Sequence, residues 1–424
     1  MPGFCKSRPV AHRHPNPSPP RDGRLPSEPS VRKDGEVDQS LLAQLRNDPE
    51  LQRTAAAAIR DDGDRAPMTL RRAGIEPDLA AAALTLADLR RKAETKFGDR
   101  AEDLYFTRPG LEQATRWVVA ERRAARFAGQ VSGVLDLCCG IGTDALAFAN
   151  AGLEVKAIDA DAETAAIARA NADAMGLAVE VEVGDALETP LNGAVFADPA
   201  RRGGGTRAFN PAEYSPPLDL LLDRLADIRY AAIKLGPGIK HAWIPDGAEA
   251  EWVSVDRDVV EACLWLGEAA QVRRRASVCR QGEWHELSGS GANRAEVGEM
   301  AAYLYEPDGA VIRAGLVAEL AQDLGAHTAH ETIAYLYSDT LQESTFARAW
   351  KVEEVWPLHP KKLRALLSDR GIGSLTIKQR GTGIDPAQLR KQLKLKGPNT
   401  ATLVATRVGD DHVAILCDET AFSH

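Results

Sequence analysis

The run Val134-Leu135-Asp136-Leu137-Cys138-Cys139-Gly140-Ile141-Gly142-Thr143-Asp144-Ala145 constrains this chain more than any other segment. It is a short apolar stretch of strand length, broken by two glycines and followed by a helical stretch at 145–149. Glycine at 140 and 142 lets the backbone approach a ligand where a Cβ would collide, and the helix start offers unpaired N–H groups to an anion. The pattern then repeats. Short β-branched runs at 155–158, 179–183, 195–197 and 230–235 alternate with alanine-rich helical stretches. Such repetition predicts right-handed crossovers and a mainly parallel α/β sheet over 131–290. Further strand-like runs stand at 252–255, 262–266 and 276–279, and the polar, glycine-rich 288–293 reads as a linker.

The chain of 424 residues is long enough for two or three units, and its flanks differ from the middle. Residues 1–36 hold 8 of the 24 prolines and seven Lys/Arg with few large apolar side chains, the composition of a disordered tail. Over 37–130, leucines at 41, 42, 45, 51, 79, 84, 86 and 89 and then Leu111, Ala114, Trp117 and Val118 recur every three or four residues. That spacing predicts a helical lead-in. Over 300–420 the order changes: extended pieces at 332–337 and 350–356, a helix at 359–368, a strand at 374–379, a helix at 385–394, and a hairpin at 401–417 turning at 409–411. These describe a smaller α+β unit.

Composition narrows the classes of function. The net charge of −9 makes the molecule as a whole unattractive to polyanions, so any nucleic-acid affinity must be local. No run approaches the ~18 apolar residues of a membrane span, and the N-terminus has no secretory apolar core, so a cytoplasmic protein is expected. Six scattered cysteines, none in a C-x-x-C arrangement, fit a reducing compartment and supply neither a disulfide framework nor a metal site.

The functional signal lies where the strands end. Asp159 closes the second strand 19 positions after Gly140, near the ~20-residue offset at which an acid takes ribose hydroxyls. Asp185 closes the third, placed for an adenine amino group, and the fourth runs into Asp198-Pro199-Ala200-Arg201-Arg202, facing a cofactor's reactive end. The glycine pattern alone fits a nicotinamide or flavin site equally well. Asp136 discriminates, because a carboxylate inside the first strand is out of place beside a pyrophosphate and tolerable beside a sulfonium cofactor with an α-amino group. Asp161 reads as a helix cap rather than a ligand, and Cys138 and Cys139 as packing residues.

The loop at 136–143 resembles that of class I, Rossmann-like methyltransferases, and is particularly similar to those acting on RNA. Ala168-Arg169-Ala170-Asn171-Ala172 with Gly176-Leu177 resembles the helix after strand two in RNA-modifying members. The wider chain, with Phe106-Thr107-Arg108-Pro109-Gly110-Leu111-Glu112-Gln113 and Glu306-Pro307, resembles over roughly 37–420 a bacterial family carrying a THUMP-like C-terminal domain. The resemblance implies S-adenosylmethionine as cofactor and RNA, a tRNA or rRNA, as partner. Gly140 and Gly142 would receive the methionine end, with Asp136 beside it, Asp159 the ribose and Asp185 the adenine. Thr107 and Gln113 would close over the cofactor. Asp198, Pro199 and Arg201 are the catalytic candidates, with Asp198 orienting the acceptor. The loop departs from the Asp/Asn-Pro-Pro-aromatic pattern of base amino-group methyltransferases, since Ala200 and Arg201 replace the second proline and the ring. Arg201 offers a planar fork that stacks on a base or clamps a phosphate.

Between 359 and 396 ten Lys/Arg face two Asp, a net +8 that leaves −17 on the rest. Lys361, Lys362, Lys378, Arg380, Arg390, Lys391 and Lys394 are therefore expected to present a phosphate-binding face. Three alternatives stand beside the RNA methyltransferase: a nicotinamide-dependent oxidoreductase, a non-catalytic RNA-binding protein whose methyltransferase domain is vestigial, and a methyltransferase acting on a small molecule or a protein.

Overall fold

The computed structural model describes residues 39–201 and 213–419. Residues 1–36 and Arg202 lie outside them. Helix starts follow local chemistry. In α2 (Pro49–Asp62) and α4 (Pro77–Phe97) an acid caps the first turn: Asp48 accepts from Leu51 N, and Glu76 from Asp78 N and Leu79 N. A proline follows each cap, where its missing N–H costs nothing. With α1 (Gln39–Asn47) and α3 (Ala66–Arg72) they form the helical lead-in, burying Leu45, Leu51, Leu70, Leu86, Leu89 and Phe97. The periodic run near 111–118 is not one helix. It breaks between α5 (Arg108–Gln113) and α6 (Trp117–Ala128), where Ala114 and Arg116 leave the helical region (ψ 136° for both) and the Thr115 hydroxyl between them donates to the buried Asp144.

Next come β1 (Gly133–Leu137), α7 (Thr143–Asn150), β2 (Glu154–Asp159), α8 (Ala162–Ala174), β3 (Val179–Val183) and β4 (Ala194–Ala197). A short ribbon follows, β5 (Ala200–Arg201) and β6 (Tyr214–Ser215), then α9 (Leu218–Leu225), β7 (Tyr230–Leu235), β8 (Glu249–Val255), β9 (Asp258–Gly267), β10 (Arg274–Arg280) and β11 (Glu283–Gly289). Nine of these strands form one sheet in the order β11-β10-β8-β9-β7-β4-β1-β2-β3. Strands β3, β2, β1, β4 and β7 run parallel, while β9 lies antiparallel between β7 and β8. Asp161 caps α8 by accepting from Thr164 N at 2.7 Å. The expected linker starts later than the composition suggested. β11 pairs along the whole of β10, Arg275 opposite Ser288 and Arg274 opposite Gly289, so ladder bonding carries the strand into the glycine-rich stretch.

Alternation along β1 decides the two faces of this sheet. Val134 points toward the layer containing Phe127, Leu146 and Phe148, and Leu135 and Leu137 point toward Leu218, Leu221 and Val311. The fold is a doubly covered α/β sheet.

The second sheet gathers β12 (Tyr303–Pro307), β13 (His327–Thr328), β14 (Leu336–Ser338), β15 (Ala347–Pro357), β16 (Ile372–Gln379), β17 (Asn399–Val408) and β18 (Asp411–Glu419) in the order β13-β14-β12-β15-β18-β17-β16. Helices α12 (Pro360–Asp369) and α13 (Pro386–Leu393) bury Leu363, Leu367, Leu389 and Leu393 against Trp356, Leu375 and Leu403. Helices α10 (Gly309–Ala314) and α11 (Val317–Asp323) lie beyond position 300, yet their apolar residues join the core of the first sheet. Asp308 caps α10 at Ala310 N and accepts from Ser254 Oγ on β8 and from Arg280 on β10, tying the two sheets together. Among the described residues no helix is long and apolar enough to cross a membrane.

Candidate functional site

Strand order reverses between β1 and β4, the position at which open α/β sheets place a ligand crevice outside the carboxyl ends of their strands. The glycine loop forms one wall. Cys138, Gly140 and Gly142 all have positive φ (60°, 58° and 88°), and for the cysteine that conformation costs on the order of 1–3 kcal/mol, a strain held by the fold around it. A Cβ on Gly142 would lie 3.2 Å from Ala168 of α8, so the glycine permits close helix packing as well as the turn.

Asp159 organises this loop. Its Oδ2 accepts from Gly140 N and its Oδ1 from Asp161 N, both at 2.9 Å, which uses one lone pair of each oxygen and leaves others for a diol. Burial raises its carboxyl above the usual range, and the two backbone bonds act against that. Asp185 is exposed and serves its own turn, its Oδ1 accepting from Leu187 N at 2.8 Å. It stands at the end of β3, on the same sheet edge as Asp159.

Asp136 differs from both. It is fully buried, and neither carboxylate oxygen has a hydrogen-bond partner among the described residues. Burial, then Asp144 and Asp198, hold its carboxyl well above the usual range, with Arg123 opposing. An unpaired buried carboxyl is costly to retain, and it marks a place where a cationic partner would be stabilised.

Helix α5 lies over the loop, since a Cβ on Gly110 would meet the Ile141 side chain at 2.5 Å. Thr107 caps that helix, accepting from Gly110 N, and the Gln113 carbonyl accepts from Lys234 at 3.4 Å. The contact of Thr107 and Gln113 with the crevice is thus through the helix they bound. Asn171 on α8, not singled out as a site residue, clamps the same assembly. It bonds Tyr105 N and Tyr105 O, and donates to Ile141 O at 2.9 Å. In the sequence it stood only as part of the 168–172 stretch that carries the resemblance of this helix, with no role of its own.

At the far wall, Asp198 follows β4 and Pro199 is buried beside it. Asp198 Oδ2 lies 2.5 Å from Lys234 Nζ on β7. Burial pushes the Asp198 carboxyl up, while Lys234 and Arg123 pull it down and Asp144 adds to the rise. Lys234 is itself held protonated, as Asp198, Asp144 and Glu261 outweigh its burial. A lysine in an otherwise apolar strand was the available clue. Arg201 sits in the β5–β6 ribbon with its guanidinium 3.2 Å from Glu213, so stacking or phosphate clamping competes with that pair. Tyr214 Oη accepts from Gly236 N at 3.0 Å, joining the ribbon to the loop after β7. The described cysteines are all free; burial raises the thiols of Cys138, Cys139, Cys263 and Cys279, which fits packing rather than nucleophilic roles.

The basic residues of the second sheet divide. Lys361, Lys362, Lys391 and Lys394 are exposed on or beside α12 and α13. Lys378 pairs with Glu306 and lies over the Trp350 ring, and Arg380 lies over the Tyr335 ring near the same glutamate. Arg390 is exposed but donates to Leu375 O. The strand-end cations therefore serve the fold first, and the helix lysines carry the open charge.

The chain is similar to known proteins in sequence and in fold. A family model described as a methyltransferase domain matches residues 134–197, the stretch from β1 to the end of β4. One described as THUMP domain-like matches 347–419, from β15 to β18. A Mycobacterium tuberculosis protein, named an uncharacterized S-adenosylmethionine-dependent methyltransferase in both strains CDC 1551 and H37Rv, is 36% identical over 334 residues, covering 76% of this chain and 91% of the relative. A crystal structure of a provisionally assigned methyltransferase from Porphyromonas gingivalis W83 aligns with a TM-score of 0.69 at 22% identity, over 88% of this chain and 98% of that one, a likeness of fold.

Proposed function

This chain belongs to the S-adenosylmethionine-dependent methyltransferases, with a THUMP-like C-terminal domain, and we propose that it methylates a base of a structured RNA, a tRNA or rRNA. The buried carboxyl of Asp136, without a hydrogen-bond partner among the described residues, supports the cofactor's place: it stands on β1 just before the glycine loop and fits an α-ammonium group. An α-ammonium group would be stabilised by the ionised form of that carboxyl, whereas a dinucleotide's pyrophosphate would drive it further toward the protonated form and gain nothing from it, which weighs against an oxidoreductase. In this reading Gly140, Gly142 and the start of α7 receive the methionine carboxylate, Asp159 the ribose hydroxyls and Asp185 the adenine amino group. Thr107 and Gln113 bound the helix that covers the crevice and limits water.

When bound, S-adenosylmethionine supplies a methyl group on a sulfonium, open to in-line displacement. The chain's work is placement, which is worth about 7–11 kcal/mol where reacting atoms are aligned. Asp198 would accept a hydrogen bond from the acceptor's attacking atom and take up its proton. Pro199 shapes the loop, and Arg201 steadies the acceptor when it exchanges Glu213 for a base or phosphate.

The RNA assignment is carried by the lysines of α12 and α13, which stand exposed in a THUMP-like unit of an otherwise acidic chain. Labelled S-adenosylmethionine, incubated with the full chain and total RNA from a strain lacking this gene, should place label in one nucleoside identified by mass spectrometry. Calorimetric binding of the cofactor without transfer to any RNA would reject the RNA substrate and favour a vestigial domain or another acceptor.

A further inference from the structure

Lys234 occupies a place that packing does not explain. Its neighbours in β7, Ala231, Ala232, Ile233 and Leu235, are buried and apolar, and its own side chain is 12% exposed. Burying an ammonium costs several kcal/mol unless a partner compensates. The partners are specific: Asp198 Oδ2 at 2.5 Å and the carbonyl of Gln113 at 3.4 Å. Gln113 ends α5, whose Gly110 rests on Ile141 of the glycine loop. One ammonium therefore joins the acceptor side of the crevice to the helix that covers its cofactor side.

We propose that Lys234 is a positioning residue for methyl transfer, which keeps Asp198 a carboxylate with Oδ2 engaged and Oδ1 left for the acceptor's hydrogen, and which ties α5 over the crevice. The proposal rests on the reading of Asp198 as the residue that orients the acceptor. The charged and titratable groups around Asp198 set the direction of the effect. Lys234 from β7 and Arg123 from α6 favour its ionised form. Asp144 from α7 and Asp136 from β1 oppose it, Cys138 and Tyr214 lie alongside, and Glu261 on β9 faces Lys234. Without the ammonium, burial and the two aspartates remain, so Asp198 takes up a proton at higher pH and loses the lone pair that receives the acceptor.

The test follows Asp198 directly. Full-length protein with ¹³C-labelled aspartate carboxyls and bound S-adenosylhomocysteine is titrated by NMR from pH 5 to 9, and the Asp198 signal is assigned by its loss in Asp198→Asn. In Lys234→Met the midpoint should rise by at least one unit, a tenfold gain in proton affinity, and Lys234→Arg should return it toward the parent value. Lys234→Gln replaces the methionine variant if that one fails to fold. An unchanged midpoint in the neutral variants, or no return with arginine, overturns the proposal. The readout needs no RNA, so failure to find an RNA acceptor leaves it standing. Where transfer to RNA is observed, the acid limb of kcat should move with the same midpoint.

Discussion

Glu251 and Asp136 are both fully buried carboxylates on the face of the first sheet that packs against α6, four strands apart, and the fold treats them in opposite ways. Glu251 accepts from Arg122, from Trp265 Nε1 at 2.8 Å and from Ser277, and the charges of Arg122 and Arg126 together with those bonds hold its carboxyl down at about 2 against the pull of burial. Beside it Glu249 receives Arg126 and Arg275. Asp136 receives nothing among the described residues and is held well above the usual range. The same helix therefore faces a satisfied ionic seam through Arg122 and, through the adjacent Arg123, an acid left without a hydrogen-bond partner among the described residues. A satisfied buried charge speaks for structure, and an unsatisfied one in a crevice speaks for a missing ligand.

The largest effect should come from breaking the seam. Glu251→Ala strands Arg122 and exposes unpaired donors in the core, and should cost about 3–5 kcal/mol in chemical denaturation. Cofactor affinity measured on the remaining folded protein should stay near that of the parent. Loss of cofactor affinity equal to that of an Asp136 variant would erase the contrast.

Asp136→Asn should do the reverse. Binding of S-adenosylmethionine should weaken by about 2–5 kcal/mol, roughly 30- to several-thousand-fold by calorimetry. The cofactor-free protein should gain about 0.5–2 kcal/mol, since an acid strained by burial is removed. The pH dependences also oppose each other. Asp136 has a raised folded value, so its contribution is present at low pH and lost as pH rises through that value; Asp136→Asn should lack this slope. Glu251 has a depressed folded value, so its contribution is present above its ordinary value of 4.5 and is lost as pH falls toward 2.

The smallest effect per site belongs to the exposed lysines. Replacing Lys361, Lys362, Lys391 and Lys394 together by Gln should lower the slope of log RNA affinity against log salt by roughly 0.7–0.9 per lysine, with cofactor affinity unchanged. A salt slope identical to that of the parent would leave the second sheet without a phosphate face.

The glycine turn, the acidic strand ends and most of the strands were legible because each depends on a few adjacent residues. Gly140 and Gly142 carry positive φ for the reason glycine is there, and Asp161 caps α8 through a bond three residues long. The residues that reasoning along the chain passed over act across it. Asn171 joins Tyr105 to Ile141, and Arg123 bridges Asp144 and Glu261, which is 138 positions away in sequence. Lys378 and Arg380 were legible as basic and illegible as partners of Glu306.

Sequence alone determined the periodicities, the turn and the charge division, since hydrophobic spacing, glycine's missing Cβ and net charge are properties of short segments. Tertiary structure decided that β9 enters between β7 and β8, that α10 and α11 return to the first sheet, and that Lys234 pairs with Asp198 while Asp136 has no hydrogen-bond partner among the described residues. The reason is physical. The cost or gain of a buried charge depends on what packing brings within a few ångströms, and no spacing along a chain specifies that.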